Sequence, residues 1–351
     1  MALKFDPDFG KLPYIELECG HRIRCYGRLT EDQLAQRGES REKVQQQLEV
    51  VYERSMRAGF NLRPCETLVL SALRFYEYDG QKAAEVLVAT QGIMRRLEIN
   101  KTAEQLRHVF EEGLVWLAPV REDSGAAAII VHHGKQWNTA KVSFKDLWAA
   151  VYLTVQVVLN DETVHFTSLA LILDYDGISM TQTSKMKPKL MKAMIELQQL
   201  RLIETTVHSV NTSRLFKAIM EFFAFAQKGC PHKTFIHGTD WASLHQHVSA
   251  KCLPPQYGGT APDYDHGLMA SFMRHMQHKT ITFGIEGLRA NYDRPSTVST
   301  TTAQLRRRSN DPTRRAMEHQ KLFCVILAFA LLSAVAIYAI FTVAFWFCCE
   351  E

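Results

Sequence analysis

From Ala126 onward, short apolar segments alternate with longer helical patterns, and this alternation is the strongest constraint on the fold. Each short segment is rich in apolar or β-branched residues and ends at turn-forming residues, as buried strands do. The four segments are AAAIIVHH, SLALILDYDG, ETTVHSVN and KTFIHG. Between the first two, SFKDLWAAVYLTVQVVLND is long enough for a helix. Strands that alternate with helices predict an α/β fold with a mixed, largely parallel sheet and flanking helices.

The region from Ser40 to Leu114 has a helical pattern instead. In SREKVQQQLEVVYERSMRAGF, apolar residues recur near helical spacing with charges between them. These residues are Val44, Leu48, Val51 and Met56. The stretch that follows, up to Leu97, predicts two helices interrupted near Asp79-Gly80, where one helix can end and the next can be capped. We therefore expect an amino-terminal helical subdomain before the sheet.

These patterns divide the chain into five parts. They are an amino-terminal extension (1–39), the helical subdomain (40–114), the sheet domain (115–265), a carboxyl-terminal extension with a basic linker (266–321) and an apolar tail (322–349). At 351 residues, the chain is long enough for about two domains and a substantial core. The linker is rich in Ser, Thr and Arg and poor in large apolar residues.

The apolar tail, LFCVILAFALLSAVAIYAIFTVAFWFCC, contains no charged residue and no proline. A helix of roughly 28 residues is about 42 Å long, which exceeds the ~30 Å hydrocarbon core of a bilayer. The tail therefore predicts a transmembrane helix that serves as a tail anchor. Arginines before it and Glu350-Glu351 after it predict a single-pass membrane protein whose large domain is cytosolic. Tail-anchored insertion favours the endoplasmic reticulum or another intracellular membrane.

A broad apolar stripe marks the segment Ser213–Gln227. Thr212 or Ser213 is suited to cap the start of a helix there. Apolar residues recur at three- and four-residue steps, namely Leu215, Phe216, Ile219, Phe222, Phe223 and Ala226. An ordinary helix packed on the sheet accounts for the period, but FFAF makes the stripe unusually aromatic. Part of this face is therefore expected to contact something other than protein.

Several motifs occur in an order found in one known family. They are YEYDGQKAAEVL with Tyr78-Asp79 and Lys82-Ala83, LILDYDGIS with Asp174, Gly177 and Ser179, HSVNTSRLF with His208, Asn211 and Phe216, and FIHG before LPPQYGG. In these motifs the chain resembles the CRAL-TRIO lipid-binding and transfer family, in particular the branch of α-tocopherol-transfer and retinaldehyde-binding proteins. The resemblance covers about Ser40 to Asp265.

The resemblance implies a lipid-binding protein, not an enzyme, with no cofactor and no metal. A small hydrophobic lipid of the tocopherol, retinoid or phospholipid class would lie between the strands and Ser213–Gln227, acting as a gate helix. The expected lipid contacts are Leu171, Leu173, Val207, Ser209, Phe216, Ile219, Phe222 and Phe223. LPPQYGG would close the domain, with Tyr257 as a structural anchor. Which lipid is bound stays open, as does the choice between transfer and a role as lipid sensor, membrane tether or adaptor.

Basic residues supply candidate contacts to the membrane and to lipid headgroups. They are Lys228, Lys233, Arg306, Arg307 and Arg308. Anionic phosphoinositides are candidate partners, but the family's phosphoinositide-binding branch carries basic residues at the positions of Ile203 and Thr205 here. Ser213 also replaces the proline that the family usually has at the start of the gate helix. These departures weaken the case for release coupled to phosphoinositides.

Other functional classes find less support in the sequence. The net charge of +4 is too small to indicate a nucleic-acid-binding protein. The stretch HQHVSAKC brings His245, His247 and Cys252 close in sequence, but not at a common zinc-binding spacing. HHGKQW contains Gly-Lys without the rest of a phosphate-binding loop, so nucleotide binding is not indicated.

Overall fold

A five-stranded mixed sheet organises the fold. The computed structural model describes residues 2–6, 12–16, 22–23, 29–118, 126–132, 134, 136–185, 202–213, 233–261, 263 and 265–276. The strands are β1 (Ala2–Asp6), β2 (Leu12–Glu16), β3 (Arg22–Ile23), β4 (Val115–Leu117), β5 (Ala127–His132), β6 (Ser168–Asp174), β7 (Glu204–Val210) and β8 (Lys233–Gly238). The helices are α1 (Glu31–Gln36), α2 (Arg41–Arg57), α3 (Glu66–Phe75), α4 (Gly80–Leu97), α5 (Arg107–Glu111), α6 (Phe144–Val158), α7 (Met180–Lys185), α8 (Trp241–His245) and α9 (His266–Met276). All of these residues belong to one compact unit, Met1–Arg294. The second unit, Pro295–Glu351, contains none of the described residues.

The main sheet has the strand order β4-β5-β6-β7-β8. Strands β5 to β8 are parallel to their neighbours, and β4 pairs antiparallel with β5 at one edge. Every residue of β4 and β5 is buried, as expected for strands covered on both faces. The prediction of a mixed, largely parallel sheet with flanking helices is confirmed.

The register of the sheet separates its residues into two faces. Ile129, Leu171, Val207 and Thr234 form one in-register row, and Val131, Leu173, Ser209 and Ile236 form the next row on the same face. We call these two rows the apolar face. The alternate positions, among them Ile130, His132, Ile172, Asp174 and His208, point to the other side, which we call the histidine face. A register shift between Ser209 and Val210 lets β8 bulge next to β7.

The helical subdomain begins with α2, where the Ser40 side chain accepts a hydrogen bond from the backbone N–H of Lys43. The predicted interruption after α3 is confirmed. Asp79 caps α4 by accepting hydrogen bonds from the backbone N–H groups of Gln81 and Lys82. Of the apolar residues that recur in α2, Leu48 and Val51 are buried, but Met56 is 50% exposed. Met56 follows Val51 by five residues and falls off the buried face, where Ser55, four residues after Val51, is fully buried.

A second sheet at the amino terminus is absent from the sequence-based expectations. Strands β1, β2 and β3 pair antiparallel, and β1 and β2 pack against α9. Ile15 in β2 is fully buried by this packing. Strand β3 has only two residues, and β2 begins Leu12-Pro13 although proline is depleted in strands, so the sequence pattern alone does not reveal this sheet.

A buried charge cluster joins the helical subdomain to the sheet domain. Arg74 of α3 donates hydrogen bonds to Glu39, at 2.8 and 3.0 Å, and to Glu162, at 3.0 Å. It also donates to Nδ1 of His165 at 2.8 Å. The exposed fractions of the side chains are 2% for Arg74, 4% for Glu39 and 12% for Glu162. Burial lowers the pKa of His165 to about 4, so the ring is neutral and accepts the arginine N–H.

The predicted transmembrane segment, 322–349, lies outside the described residues. In the part of the chain that the structure does describe, no helix is both long enough and apolar enough to cross a bilayer. This finding corrects the localisation prediction, and the single-pass membrane placement with its tail anchor is withdrawn.

Candidate functional site

The apolar face brings together the four strand residues that the sequence predicts as lipid contacts. Leu171 pairs with Val207 and Leu173 pairs with Ser209 across β6 and β7, so their side chains point to the same side of the sheet. All four are buried, with exposed fractions between 0% and 7%.

The apolar face extends over β5 to β8 and becomes more accessible toward β8. Ile129 is fully buried, Leu171 and Val207 are 6% and 7% exposed, and Thr234 at the outer strand is exposed. None of the strand residues in its two rows carries a charge. The face is therefore suited to packing against an apolar ligand or apolar side chains, and its more accessible side is the β8 edge.

Ser209 is a buried polar residue on this face, whereas Thr234, the other polar residue in the two rows, is exposed. The side chain of Ser209 has no accessible surface, and its hydroxyl oxygen has no hydrogen-bond partner among the described residues. A buried polar group without a partner costs about 1–3 kcal/mol of stability. Most buried side-chain polar atoms in native proteins have a partner, so each exception calls for a physical explanation.

The remaining predicted contacts fall into two groups. The gate residues Phe216, Ile219, Phe222 and Phe223 lie outside the described residues, and so do Lys228, Arg306, Arg307 and Arg308. Lys233 is described: it is the first residue of β8, and it is exposed. Ile203 is buried and Thr205 donates its hydroxyl to the Ile203 carbonyl, so these two positions offer no cation to a headgroup.

On the other side of the sheet, four groups converge on Asp174 at the carboxyl end of β6. The Tyr257 hydroxyl donates to Oδ2 at 2.8 Å, and Nδ1 of His132 lies 3.3 Å from the same oxygen. The Asn211 amide and the backbone N–H of Asp176 both donate to Oδ1 at 2.9 Å. Asn211 reaches this position with a φ of 53°, a left-handed conformation that Asn tolerates better than most residues.

Burial alone raises the pKa of Asp174, but the hydrogen bonds outweigh it. Those from His132 and Asn211 are the strongest, and together with the Asp176 N–H and Tyr257 they bring the pKa to about 2. The carboxylate is therefore ionised at neutral pH with both oxygens already occupied. It acts as a latch between distant parts of the chain, which leaves it little capacity to bind a ligand or transfer a proton.

A polar cavity of about 360 Å³ opens beside this latch at the carboxyl edge of the parallel strands. Its lining residues are His132, Gly134, Gln136, Asp174, Asp176, Asn211, Gln256 and Tyr257. Ligands of open α/β sheets often bind at this edge. Here, however, the groups that converge on the cavity are mostly engaged with one another through Asp174.

The stretch LPPQYGG holds Tyr257 in place. Pro255–Tyr257 forms a short 3₁₀ helix, and Gly258 then takes a φ of 69°, which favours glycine. At Gly259 an added Cβ would lie 1.9 Å from the Leu253 carbonyl oxygen, so only glycine fits. Tyr257 has no accessible surface, and its backbone carbonyl accepts a hydrogen bond from Nε2 of His245. This geometry is that of a structural anchor.

A histidine cluster covers the histidine face near β8. Nδ1 of His208 lies 3.0 Å from Nε2 of His237, and the ring of His247 stacks on Phe235 with centroids 4.0 Å apart. Burial, followed by the neighbouring His237 and His247, lowers the pKa of His208 to about 3. Within the described residues, no group of three or more His, Cys, Asp or Glu side chains is arranged to hold a metal ion.

The geometry agrees with a comparison against known families. Residues 111–259 match the model of the CRAL/TRIO domain. This part of the chain is a CRAL/TRIO domain. The earlier resemblance is thus confirmed for the domain, which contains the apolar face, the Asp174 latch and the LPPQYGG stretch.

Two curated relatives of the CRAL/TRIO domain extend the comparison. Alpha-tocopherol transfer protein-like from Mus musculus is 27% identical over 208 residues, which are 57% of this chain and 60% of that protein. Clavesin-1 from Rattus norvegicus is 30% identical over 145 residues, which are 40% of this chain and 41% of that protein. The chain therefore spans less than two thirds of the length of either relative. Among solved structures, the crystal structure of Sfh5 aligns with a TM-score of 0.40 at 13% identity, over 73% of this chain and 99% of that chain.

Proposed function

We propose that this protein binds a small hydrophobic lipid against the apolar face of its CRAL/TRIO domain and transfers it between membranes. The observation that carries the proposal is the face itself, with two in-register rows of uncharged strand residues over β5 to β8. The similarity to a protein named for α-tocopherol transfer supports the same class of ligand. The proposal makes the chain a carrier, not an enzyme.

The opposite face of the sheet is already occupied by the chain. Tyr257 contacts Asp174, the ring of His247 lies 5.6 Å from that of His208, and the ring of His266 of α9 lies 5.2 Å from that of Trp116. Residues 241–276 therefore supply cover for the histidine face. The proposal therefore places the lipid on the apolar face.

We propose that Ser213–Gln227 acts as the gate helix over the apolar face. It connects β7 to β8, which are neighbouring parallel strands, and connections between such strands are almost always right-handed. The same rule applies to the connections between β5 and β6 and between β6 and β7, so all three are expected on one face. Phe216, Ile219, Phe222 and Phe223 would then contact the lipid from above, and Leu171, Leu173, Val207 and Ser209 from below.

The physical driving force is the removal of apolar surface from water, which stabilises the bound lipid by roughly 25 cal/mol per Å². A lipid of the tocopherol, retinoid or phospholipid class has enough apolar surface for this. Opening the gate at a bilayer would let the lipid leave without crossing water. Lys228, Lys233, Arg306, Arg307 and Arg308 are the proposed contacts to anionic headgroups, phosphoinositides included.

Native mass spectrometry of the purified full-length protein, followed by lipid extraction, tests the proposal. We expect one lipid molecule per chain and a matching lipid in the extract. A second assay follows movement of that lipid from donor to acceptor vesicles. Protein that never retains lipid would overturn the proposal, and stoichiometric lipid without vesicle transfer would indicate a lipid sensor instead.

A further inference from the structure

Ser209 carries a buried hydroxyl on the apolar face, whose other polar strand residue, Thr234, is exposed. Its row consists of Val131, Leu173, Ser209 and Ile236, so its in-register neighbours on both sides are aliphatic. The oxygen is fully buried and has no partner among the described residues. By contrast, other buried serines of the described chain do have backbone partners: Ser55 donates to the Tyr52 carbonyl and Ser71 to the Leu202 carbonyl.

The surroundings of Ser209 restrict what could bind to it. The strand residues of the apolar face carry no charge, and the nearest strand carboxylate, Asp174, belongs to the histidine face and is already fully hydrogen-bonded. A charged phosphate or carboxylate placed at Ser209 would be desolvated without a cation to balance it, which is strongly unfavourable. A neutral hydroxyl or carbonyl would face no such penalty, because a serine hydroxyl is both donor and acceptor.

We propose that Ser209 is the hydrogen-bond partner of the lipid's polar end group, and that this group is a single uncharged hydroxyl or carbonyl. The inference rests on the proposed function and narrows it: lipid alcohols, aldehydes and ketones fit, whereas a phospholipid headgroup does not fit at this position. Ser209 thereby determines both the orientation of the lipid and the discrimination against a purely apolar molecule.

A matched pair of probes tests this role in the full-length protein. One probe is a pyrene-labelled long-chain alcohol, and the other is the pyrene-labelled alkane of the same length. Binding is followed by pyrene fluorescence in the wild type, in Ser209→Ala and in the control Ser55→Ala. A hydrogen bond changes a dissociation constant by a net factor of roughly 3 to 10. We therefore expect Ser209→Ala to raise the dissociation constant of the alcohol by about that factor. Alkane binding should change by less than about twofold in either variant.

Thermal unfolding without ligand separates this role from a structural one. Ser209→Ala removes a buried hydroxyl that has no partner, so its melting temperature should stay equal to that of the wild type or rise. A lower melting temperature together with equal loss of both probes would show that the hydroxyl supports the fold, and would overturn the inference. Unchanged alcohol binding in Ser209→Ala would overturn the inference about Ser209 but leave the proposed lipid binding intact. A wild type that binds neither probe would overturn both.

Discussion

The Tyr257 hydroxyl donates a hydrogen bond of 2.8 Å to Asp174, a residue 83 positions earlier in the chain. The bond joins the turn at LPPQYGG to the carboxyl end of β6, and both partners are buried. It is one of four contacts that hold the Asp174 carboxylate in its charged form. The closing segment of the domain is therefore held to the sheet by a charge-assisted hydrogen bond.

Replacing Tyr257 by Phe should destabilise the protein by about 1.5–3 kcal/mol, the usual contribution of a hydrogen bond to a charged group. Urea unfolding measures the change. The matched control is Tyr152→Phe in α6, a half-buried tyrosine packed against the core, where the same oxygen is removed without affecting Asp174 and we expect a smaller loss. Equal effects of the two exchanges would show that the Asp174 contact contributes no more than an ordinary tyrosine hydroxyl.

The histidine cluster predicts that stability falls on mild acidification. The pKa of His208 is lowered from 6.5 to about 3 by burial and by its neighbours His237 and His247, so the folded state stays unprotonated over that range. The unfolded chain takes up the proton below pH 6.5, and the free energy of unfolding therefore decreases as the pH falls toward about 3. The slope for one such group is at most about 1.4 kcal/mol per pH unit.

His208→Gln should reduce the slope of the free energy of unfolding against pH between about pH 6.5 and 3. The reduction corresponds to at most one fewer proton taken up on unfolding. The measurement is urea unfolding at several pH values below neutrality. The same exchange at His275 in α9, which lies outside the cluster, is the control. Burial and His247 also lower the pKa of His237, with Asp240 opposing them, so part of the slope should persist in the variant. A slope identical to that of the wild type would contradict the assignment to His208.

Arg74 and Arg63 offer a direct comparison of a buried and an exposed ion pair. Each makes two hydrogen bonds to one glutamate, Arg74 to Glu39 and Arg63 to Glu49. The Arg74 side chain is 2% exposed, and the Arg63 side chain is 56% exposed. Arg74→Leu leaves buried carboxylates without their cation and should cost about 3–5 kcal/mol, whereas Arg63→Leu should leave the free energy of unfolding nearly unchanged because water screens the exposed pair. Comparable losses in chemical denaturation would rule out a special contribution from burial.

The elements with strong local patterns were predictable from the sequence. The apolar runs that became β5 to β8 are bounded by turn residues, and the amphipathic period of α2 and the Asp79 cap of α4 are local signals. The site is different, because its contacts are not local. Asp174, Asn211 and Tyr257 each appear in a recognisable motif, but no pattern in the sequence shows that they bond to one another.

Two other features escaped prediction for related reasons. Strand β4 has three residues, too few to distinguish a strand from a loop by alternation. Arg74 looks like a solvated helix residue, since a charge is normally exposed, and its burial depends on Glu39 and Glu162 arriving from distant segments. By contrast, the position of Ser209 on the apolar face followed from strand period alone, because alternate residues of a strand share a face.

The proposed gate predicts a clear difference between two charge substitutions in one segment. Phe223 belongs to the aromatic stripe of Ser213–Gln227, and Lys217 lies off that stripe by helical spacing. Both residues lie outside the described part of the chain, so the experiment tests the sequence pattern itself. Phe223→Asp should reduce the lipid retained through purification far more than Lys217→Asp, as measured by lipid extraction and mass spectrometry. Equal retention in the two variants would remove the basis for the gate.

Lys233 predicts how the protein should respond to anionic membranes. It is exposed at the first position of β8, the outer strand of the sheet, and the register places it on the histidine face, in line with Thr206. A lysine near an anionic surface contributes about 1 kcal/mol, so Lys233→Gln should weaken binding to phosphatidylserine-containing vesicles by about fivefold. The control is Lys82→Gln, which removes the same charge from α4. Vesicle co-sedimentation at low salt should separate the variants, and the difference should disappear at high salt because screening weakens the attraction. If Lys82→Gln weakens vesicle binding equally, the binding depends on the net charge of the protein and not on the position of Lys233.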